Sequence, residues 1–187
     1  MSAVMNHTKR SHIVLGVTGS IASYKAAELV RLMQQREWDV SVVMTSCATE
    51  FISPLTFQTL SRNAVGTGLF DEKDGWHPEH ISYADRADVM LIAPCTANVM
   101  AKMAHGLADD LLTCTVLATR APVIVAPAMN DAMWENPATQ ANVALLRSRG
   151  VVFVDVGSGA LACGREGQGR LADLNSIIES VGSVLKK

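Results

Sequence analysis

Along this chain, short and continuous apolar runs alternate with longer segments in which apolar residues recur at helical spacing. Strands that are apolar throughout must be covered on both faces, so this alternation predicts a parallel sheet between two layers of helices. We therefore expect a single-domain α/β fold with a doubly wound parallel sheet, of the flavodoxin-like or Rossmann-like type. The predicted strands are residues 12–17, 40–44, 89–93, 123–126 and 151–154.

Residues typical of helix ends mark where helices begin and end in the segments between these strands. Ser53 and Pro54 supply an N-cap and a proline at the first helical position, Gly150 ends the helix before it, and Asp173 caps the last helix. The stretch 63–79 lacks a regular pattern, and we interpret it as a long loop. The predicted helices are 20–35, one beginning at 53, 98–119, 138–149 and one beginning after 173.

Bulk composition limits the possible functions. The 187 residues are 49% hydrophobic and 18% charged, with a formal net charge of -2, which gives no basic surface for nucleic acid. No apolar run approaches the ~20 residues of a membrane helix, and the polar start lacks the apolar stretch of a secretory signal. We therefore expect one cytoplasmic domain, residues 12–187, after a disordered extension, residues 1–11, with no nucleic-acid or membrane partner.

The cysteines are widely spaced, without the pairs that bind zinc, so we expect reduced thiols and no metal site. We interpret Cys47 and Cys95 as packing residues. Cys163 differs, because it lies in the glycine-rich tract GSGALACGREGQGR. Such a tract fits either a mobile loop that carries a thiol over a ligand or a surface turn with an incidental cysteine.

The turn after the first predicted strand has features of an anion site. Gly19, Ser20 and Ile21 lie where the strand passes into a helix, so backbone N–H groups there can approach a negative group. The turn is not G-x-G-x-x-G and has no P-loop lysine, which argues against a nucleoside triphosphate. A single phosphate, as on FMN, suits it better, and Thr45 could reach the same phosphate. The alternative is a plain tight turn.

The turn after the third predicted strand carries small polar residues that could line a flat ring. Thr96, Ala97 and Asn98 follow Pro94, which we expect to end the strand ladder. Asn98 offers both the donor and the acceptor that the pyrimidine edge of a flavin requires.

The turn after the fourth predicted strand contains Asn130, whose amide could donate to a carboxylate. Met133 and Trp134 follow it. They fit either an ordinary core or a lid over an apolar part of a substrate.

Together these motifs resemble the flavin-containing cysteine decarboxylases, from about His12 to the C-terminus. The resemblance rests on GVTGSIASYK, the PCTAN tract where the family more often has P-A-S-A-N-T, the P-A-M-N-x-x-M-W motif and the A-C-G-x-x-G-x-G-R loop. The last two motifs together are highly specific. Similarity is greatest to members that act on 4′-phosphopantothenoyl-L-cysteine in coenzyme A biosynthesis.

The resemblance implies an FMN-dependent carboxy-lyase that converts this substrate into 4′-phosphopantetheine. It implies a base at His80, in the position of the family's H-I-x-L histidine, and an acid at Cys163 that protonates an enethiolate. His77 and His105 are interpreted as surface residues. The implied cofactor-binding residues are Gly19, Ser20, Ile21, Thr45, Thr96, Ala97, Asn98 and Ala128, and the implied substrate-binding residues are Asn130, Met133 and Ala162.

The family also implies partners. They are a small-molecule substrate, a separate ligase protein in the pathway, and further copies of the chain. The expected assembly is a homotrimer or a dodecamer with the flavin between subunits, so that a neighbour contributes His80. The sequence departs from the family pattern at Tyr83, Cys95, Thr96 and Val99, which leaves the details of flavin contact open.

Other functions are open on the same fold. A peptidyl-cysteine oxidative decarboxylase would release the enethiol, but such enzymes lack the loop that carries Cys163. A non-catalytic FMN-binding regulator, as in family members that inhibit a protein phosphatase, would carry a long acidic tail, whereas the chain ends in Val184-Leu185-Lys186-Lys187. A flavin prenyltransferase would lack the P-A-M-N-x-x-M-W motif.

Overall fold

A parallel sheet forms the centre of the protein, as seen in a computed structural model that describes residues 10–70, 78–160, 164 and 166–186. Within these residues the sheet has the strand order β3-β2-β1-β4-β5-β6, which reverses between β1 and β4. This is the Rossmann order of the doubly wound arrangement. The strands are β1 (His12–Val17), β2 (Asp39–Met44), β3 (Val65–Gly66), β4 (Val89–Cys95), β5 (Val123–Pro127) and β6 (Val152–Phe153).

Helices cover both faces of the sheet. Since successive side chains of a strand point to opposite faces, Leu15 of β1 lies in one core cluster and Val14 in the other. The first cluster contains residues of α1, α3 and α9, and the second contains residues of α4, α5, α6 and α8. The helices are α1 (Ser23–Gln35), α2 (Ser46–Thr49), α3 (Pro54–Ser61), α4 (Glu79–Arg86), α5 (Ala97–His105), α6 (Leu111–Ala118), α7 (Asp131–Glu135), α8 (Pro137–Ser148) and α9 (Leu174–Leu185).

The predicted helix 98–119 is wrong as a single element, because the chain breaks between α5 and α6. Gly106 ends α5 with a left-handed φ of 69°, which suits a residue without a Cβ. Asp110 then caps α6, where its carboxylate accepts a hydrogen bond of 2.8 Å from the Thr113 backbone N–H. Both signals are local, and the continuous apolar pattern concealed them.

The glycine-rich tract is more regular than the loop we expected. Gly157–Ala160 (β7) and Glu166–Arg170 (β8) pair as antiparallel strands. Ala162 and Cys163, between these strands, lie outside the described residues. The prediction for 63–79 also missed an element, because β3 pairs with β2 in that stretch; residues 71–77 are outside the described part of the chain.

Among the remaining predictions, those of the helix caps are confirmed, and the predicted end of a strand at Pro94 is wrong. Ser53 and Asp173 cap α3 and α9, and Gly150 follows α8 with φ 87°. Strand β4 continues through Pro94, with an irregular register between Ile92 and Cys95 rather than an end. The predicted extension, residues 1–11, is described only at its last two residues. Among the helices that can be described, none is long and apolar enough to cross a membrane.

Candidate functional site

The carboxyl ends of β1 and β4 are joined by the side chain of Thr18. Its hydroxyl donates to the Pro94 carbonyl oxygen at 2.8 Å and accepts from the Thr96 backbone N–H at 3.0 Å. Thr18 is fully buried, so these bonds hold the two turns together away from water. They lie at the point where the strand order reverses, which is where doubly wound sheets bind ligands.

The turn after β1 requires glycine because α2 approaches it closely. A Cβ on Gly19 would lie 2.4 Å from the Cβ of Cys47 and 3.0 Å from its backbone carbon. At the start of α1, the neutral Ser20 hydroxyl accepts from the Ala22 backbone N–H at 3.3 Å, and no acidic residue lies in the first turn. The positive end of this 13-residue helix therefore faces the turn at Gly19 and Ser20 without a built-in counter-charge.

The turn after β5 presents Asn130 as the N-cap of α7. The Asn130 amide oxygen accepts from the Ala132 backbone N–H at 3.0 Å. The oxygen of the side chain is therefore engaged with the helix, and its NH₂ is the group suited to bind a carboxylate.

Strand β8 lies across this turn. The Met129 backbone N–H donates to the Gly169 carbonyl oxygen at 2.8 Å. Gly169 has φ 119°, and a Cβ on it would lie 2.5 Å from the Met129 carbonyl oxygen. Farther along, a Cβ on Gly167 would lie 2.8 Å from the Cβ of Asp131. Glycines thus allow the hairpin to rest directly on the β5 turn.

Between these turns lies a cleft of about 580 Å³. Most of the predicted binding residues line it, namely Gly19, Ser20, Ile21, Thr96, Ala128, Asn130 and Met133. Sequence reasoning missed several other lining residues, which are Ala22, Tyr24, Lys25, Met129, Gly169, Arg170 and Leu171. Lys25 and Arg170 supply positive charge. The sequence feature that could have identified them is that they lie within the motifs GVTGSIASYK and A-C-G-x-x-G-x-G-R, respectively.

Some predicted site residues do not line this cleft within one chain. Thr45 is buried and caps α2, accepting from the Ala48 N–H at 3.3 Å. Ala97 and Asn98 begin α5, and the Asn98 side chain is exposed. Cys163 and Ala162 belong to the segment outside the described residues, so their positions relative to the cleft are not described.

His80 lies in the first turn of α4, on the far face of the sheet from α1. Helix α4 runs toward the edge of the sheet at which the parallel strands begin. The Asp88 backbone N–H, two residues after the helix, donates to the carbonyl oxygen of His12, the first residue of β1, at 2.9 Å. His80 at the opposite end of α4 therefore lies toward the carboxyl edge, half-buried and away from the cleft of its own chain. His105 is exposed at the end of α5, as expected for a surface residue.

The described cysteines differ in environment. Burial raises the pKa of the fully buried Cys95 thiol far above its ordinary value, which fits the packing role we expected. Cys47 is exposed, although its Cβ lies against Gly19, so its interpretation as a packing residue is only partly right. Among the residues that the structure describes, no cluster of His, Cys, Asp or Glu could hold a metal ion.

Sequence comparisons place the chain among known proteins. The family model described as Flavoprotein matches residues 1–186. The chain is 46% identical over 168 residues to the coenzyme A biosynthesis bifunctional protein CoaBC of Bacillus subtilis, covering 90% of this chain and 41% of that protein. It is 46% identical over 171 residues to the probable phosphopantothenoylcysteine decarboxylase of Streptococcus mutans, covering 90% and 96%. This chain therefore spans less than half of the length of the bifunctional relative.

Solved structures share the fold over nearly the whole chain. A mutant PPC decarboxylase complexed with pantothenoylaminoethenethiol aligns with a TM-score of 0.85 and 30% identity, over 96% of this chain and 100% of that chain. The FMN binding protein AtHal3 aligns with a TM-score of 0.81 and 32% identity, over 94% and 96%.

Proposed function

The chain belongs to the flavoprotein family, and from this we propose that it is an FMN-dependent decarboxylase of 4′-phosphopantothenoyl-L-cysteine in coenzyme A biosynthesis. The observation that carries the proposal is the single cleft in which the Gly19 turn, suited to a phosphate, and the Asn130 turn, suited to a carboxylate, come together. The high identity to the Streptococcus mutans relative, over almost the full length of both chains, supports the same substrate.

The residues of the cleft fit FMN. The start of α1, which has no acidic residue in its first turn, would hold the phosphate together with the Gly19 backbone and the Ser20 hydroxyl, with Lys25 as a nearby cation. Apolar walls would hold the flat ring; these are contributed by Ile21, Ala128, Met129 and Met133, among others. A volume of about 580 Å³ is within the usual range for small-molecule sites.

When bound, FMN supplies a two-electron acceptor and donor, which the unactivated cysteine carboxylate needs before it can lose CO₂. The protein orients the substrate and moves protons. In this proposal the Asn130 amide donates to the substrate carboxylate, and His80 accepts the proton of the substrate thiol. Cys163 protonates the enethiolate that decarboxylation leaves, and Ala162 contributes to substrate binding.

We further propose a cytoplasmic homotrimer in which His80 of a neighbouring subunit completes each cleft. His80 and the cleft both lie toward the carboxyl edge, but on opposite faces of the sheet, so one chain does not bring them together. The cleft is also bordered by apolar side chains that are strongly exposed in one chain, including Ile21 at 58% and Tyr24 at 61%. A subunit packed there would cover them. The substrate itself would come from a ligase reaction that joins cysteine to 4′-phosphopantothenate.

The visible spectrum of the purified protein tests the cofactor assignment. A yellow protein that releases FMN on denaturation is expected, and Gly19→Ala should lose much of the FMN because the new Cβ collides with Cys47. A wild-type protein that does not bind FMN would contradict the proposal.

Mixing variants tests the shared site. His80→Asn and Cys163→Ser are each expected to be inactive in turnover. Unfolding and refolding them together should restore activity, because a cleft with Cys163 of one chain can take His80 from another. No restoration would place both residues in the same chain's site.

A further inference from the structure

A second cavity, of about 800 Å³, continues from the cleft along α1. The two cavities share Tyr24, Lys25, Arg170 and Leu171, so together they form one channel. We call the second cavity the α1 groove. Its floor is apolar, contributed by Leu60, Leu171, Ala172 and Leu174.

Cations predominate among the charged residues of the α1 groove. Lys25 lies at the junction with the cleft, and Arg31 lies six positions farther along the helix, a rise of about 9 Å. Arg170 lines both cavities, and its guanidinium reaches toward β7, 3.4 Å from where a Cβ on Gly159 would lie. Among the described residues, none of these three cations forms an ion pair.

The acidic residues of the groove do not cancel this charge. The Asp173 carboxylate is engaged as the N-cap of α9, where it accepts from the Asn175 N–H at 2.9 Å. Glu28 is exposed on α1 between Lys25 and Arg31. The groove therefore offers an apolar channel with a surplus of positive charge, which suits a slender ligand that carries an anionic group at its far end.

We propose that the α1 groove holds the pantothenoyl arm of the substrate and that Arg31, assisted by Arg170, binds its terminal phosphate. This inference rests on the proposed function and assigns the part of the substrate that determines its specificity. With the cysteinyl carboxylate at Asn130, the arm must leave a cleft that FMN largely fills, and the α1 groove is the adjoining opening. An arginine fork matches a phosphate with paired, charge-assisted hydrogen bonds.

The test compares 4′-phosphopantothenoylcysteine with pantothenoylcysteine, which lacks the phosphate, as substrates of the FMN-loaded protein. Arg31→Gln should lower kcat/KM for the phosphorylated substrate about tenfold, mainly through KM, because it removes a charged hydrogen bond. Its kcat/KM for pantothenoylcysteine should be unchanged. Arg170→Gln should shift selectivity in the same direction.

Matched variants in α1 and at its C-cap provide the controls. Arg36→Gln removes an arginine that is also exposed but lies outside the groove, and it should keep wild-type selectivity. Glu28→Gln removes the opposing charge in the groove and should improve selectivity for the phosphorylated substrate about twofold. FMN content and circular dichroism should match the wild type in Arg31→Gln, Arg36→Gln and Glu28→Gln, since each replaced side chain is exposed and lies outside the FMN cleft.

The outcomes separate the two proposals. If the wild type turns over both substrates and Arg31→Gln keeps the selectivity of Arg36→Gln, the phosphate site is wrong and the proposed function stands. If the wild type turns over neither substrate, the proposed function is wrong, and the phosphate site falls with it. A selective loss in Arg31→Gln, absent in Arg36→Gln, supports the site.

Discussion

The backbone amide of Met129 donates a 2.8 Å hydrogen bond to the carbonyl oxygen of Gly169. This bond ties the β7–β8 hairpin to the turn after β5, the same turn that presents Asn130. The hairpin also carries Arg170 and leads into the segment that contains Cys163. This contact holds β8 against the turn that presents Asn130.

Gly169→Ala should detach the hairpin from this turn. The substitution combines φ 119°, which is strained for a residue with a Cβ, with a contact of 2.5 Å to the Met129 carbonyl oxygen. We expect a loss of about 3 kcal/mol at this contact and faster amide hydrogen exchange at Met129. Gly150→Ala is the control, because its φ of 87° is also positive but nothing lies within 4 Å. Unchanged exchange at Met129 in Gly169→Ala would contradict this role.

Thr18→Val should destabilise the junction between β1 and β4. Valine keeps the shape of the buried side chain but leaves the Pro94 carbonyl and the Thr96 N–H without their partner. We expect the free energy of unfolding in urea to fall by about 1–3 kcal/mol. Thr18→Ser keeps the hydroxyl and loses one methyl, which should cost about 0.8 kcal/mol. The hydroxyl bridge has no importance if Thr18→Val proves as stable as Thr18→Ser.

Much of the fold could be predicted from local pattern, because buried parallel strands are apolar throughout and helix caps use few residue types. The predicted strand 12–17 and the caps at Ser53 and Asp173 are confirmed for that reason. The hairpin could not be predicted in this way. Its strands, Gly157–Ala160 and Glu166–Arg170, contain few apolar residues, and local pattern does not reveal that β8 packs against the turn after β5.

The lining of the cleft could be predicted where residues lie within about three positions of a strand end, as Gly19, Thr96 and Asn130 do. Parallel strands place such residues at one edge of the sheet. Lys25 and Arg170 were missed because they belong to a helix and a hairpin, whose orientation toward the cleft arises only from packing. The exposure of Cys47 also depends on packing, since sequence neighbours do not reveal which side of α2 faces the solvent.

Thiol labelling should distinguish the described cysteines. Burial raises the Cys95 pKa far above its ordinary value, so the reactive thiolate stays unpopulated as the pH rises through the range in which an exposed thiol ionises. At pH 8, a thiol reagent should modify the exposed Cys47 in the native protein and reach Cys95 only after unfolding, as peptide mass spectrometry would reveal. Equal labelling rates for the two would show that Cys95 is accessible.

Cys163→Ser should separate the two halves of the proposed reaction. A serine hydroxyl is a far weaker acid than a thiol of pKa ~8.5, so protonation of the enethiolate should fail after CO₂ has left. We expect about one CO₂ per bound FMN, together with an equal amount of the oxidised enethiol product. Cys114→Ser, on α6 away from the cleft, should turn over normally. Normal turnover by Cys163→Ser would assign the acid to another group.

The most direct measurement is the product formed when the FMN-loaded protein is incubated with 4′-phosphopantothenoyl-L-cysteine without an external oxidant or reductant. We expect many turnovers per FMN, each releasing one CO₂ and one 4′-phosphopantetheine, as resolved by liquid chromatography and mass spectrometry. FMN-loaded protein that leaves this substrate unchanged, or that stops at the enethiol after a single turnover, would contradict the proposed function.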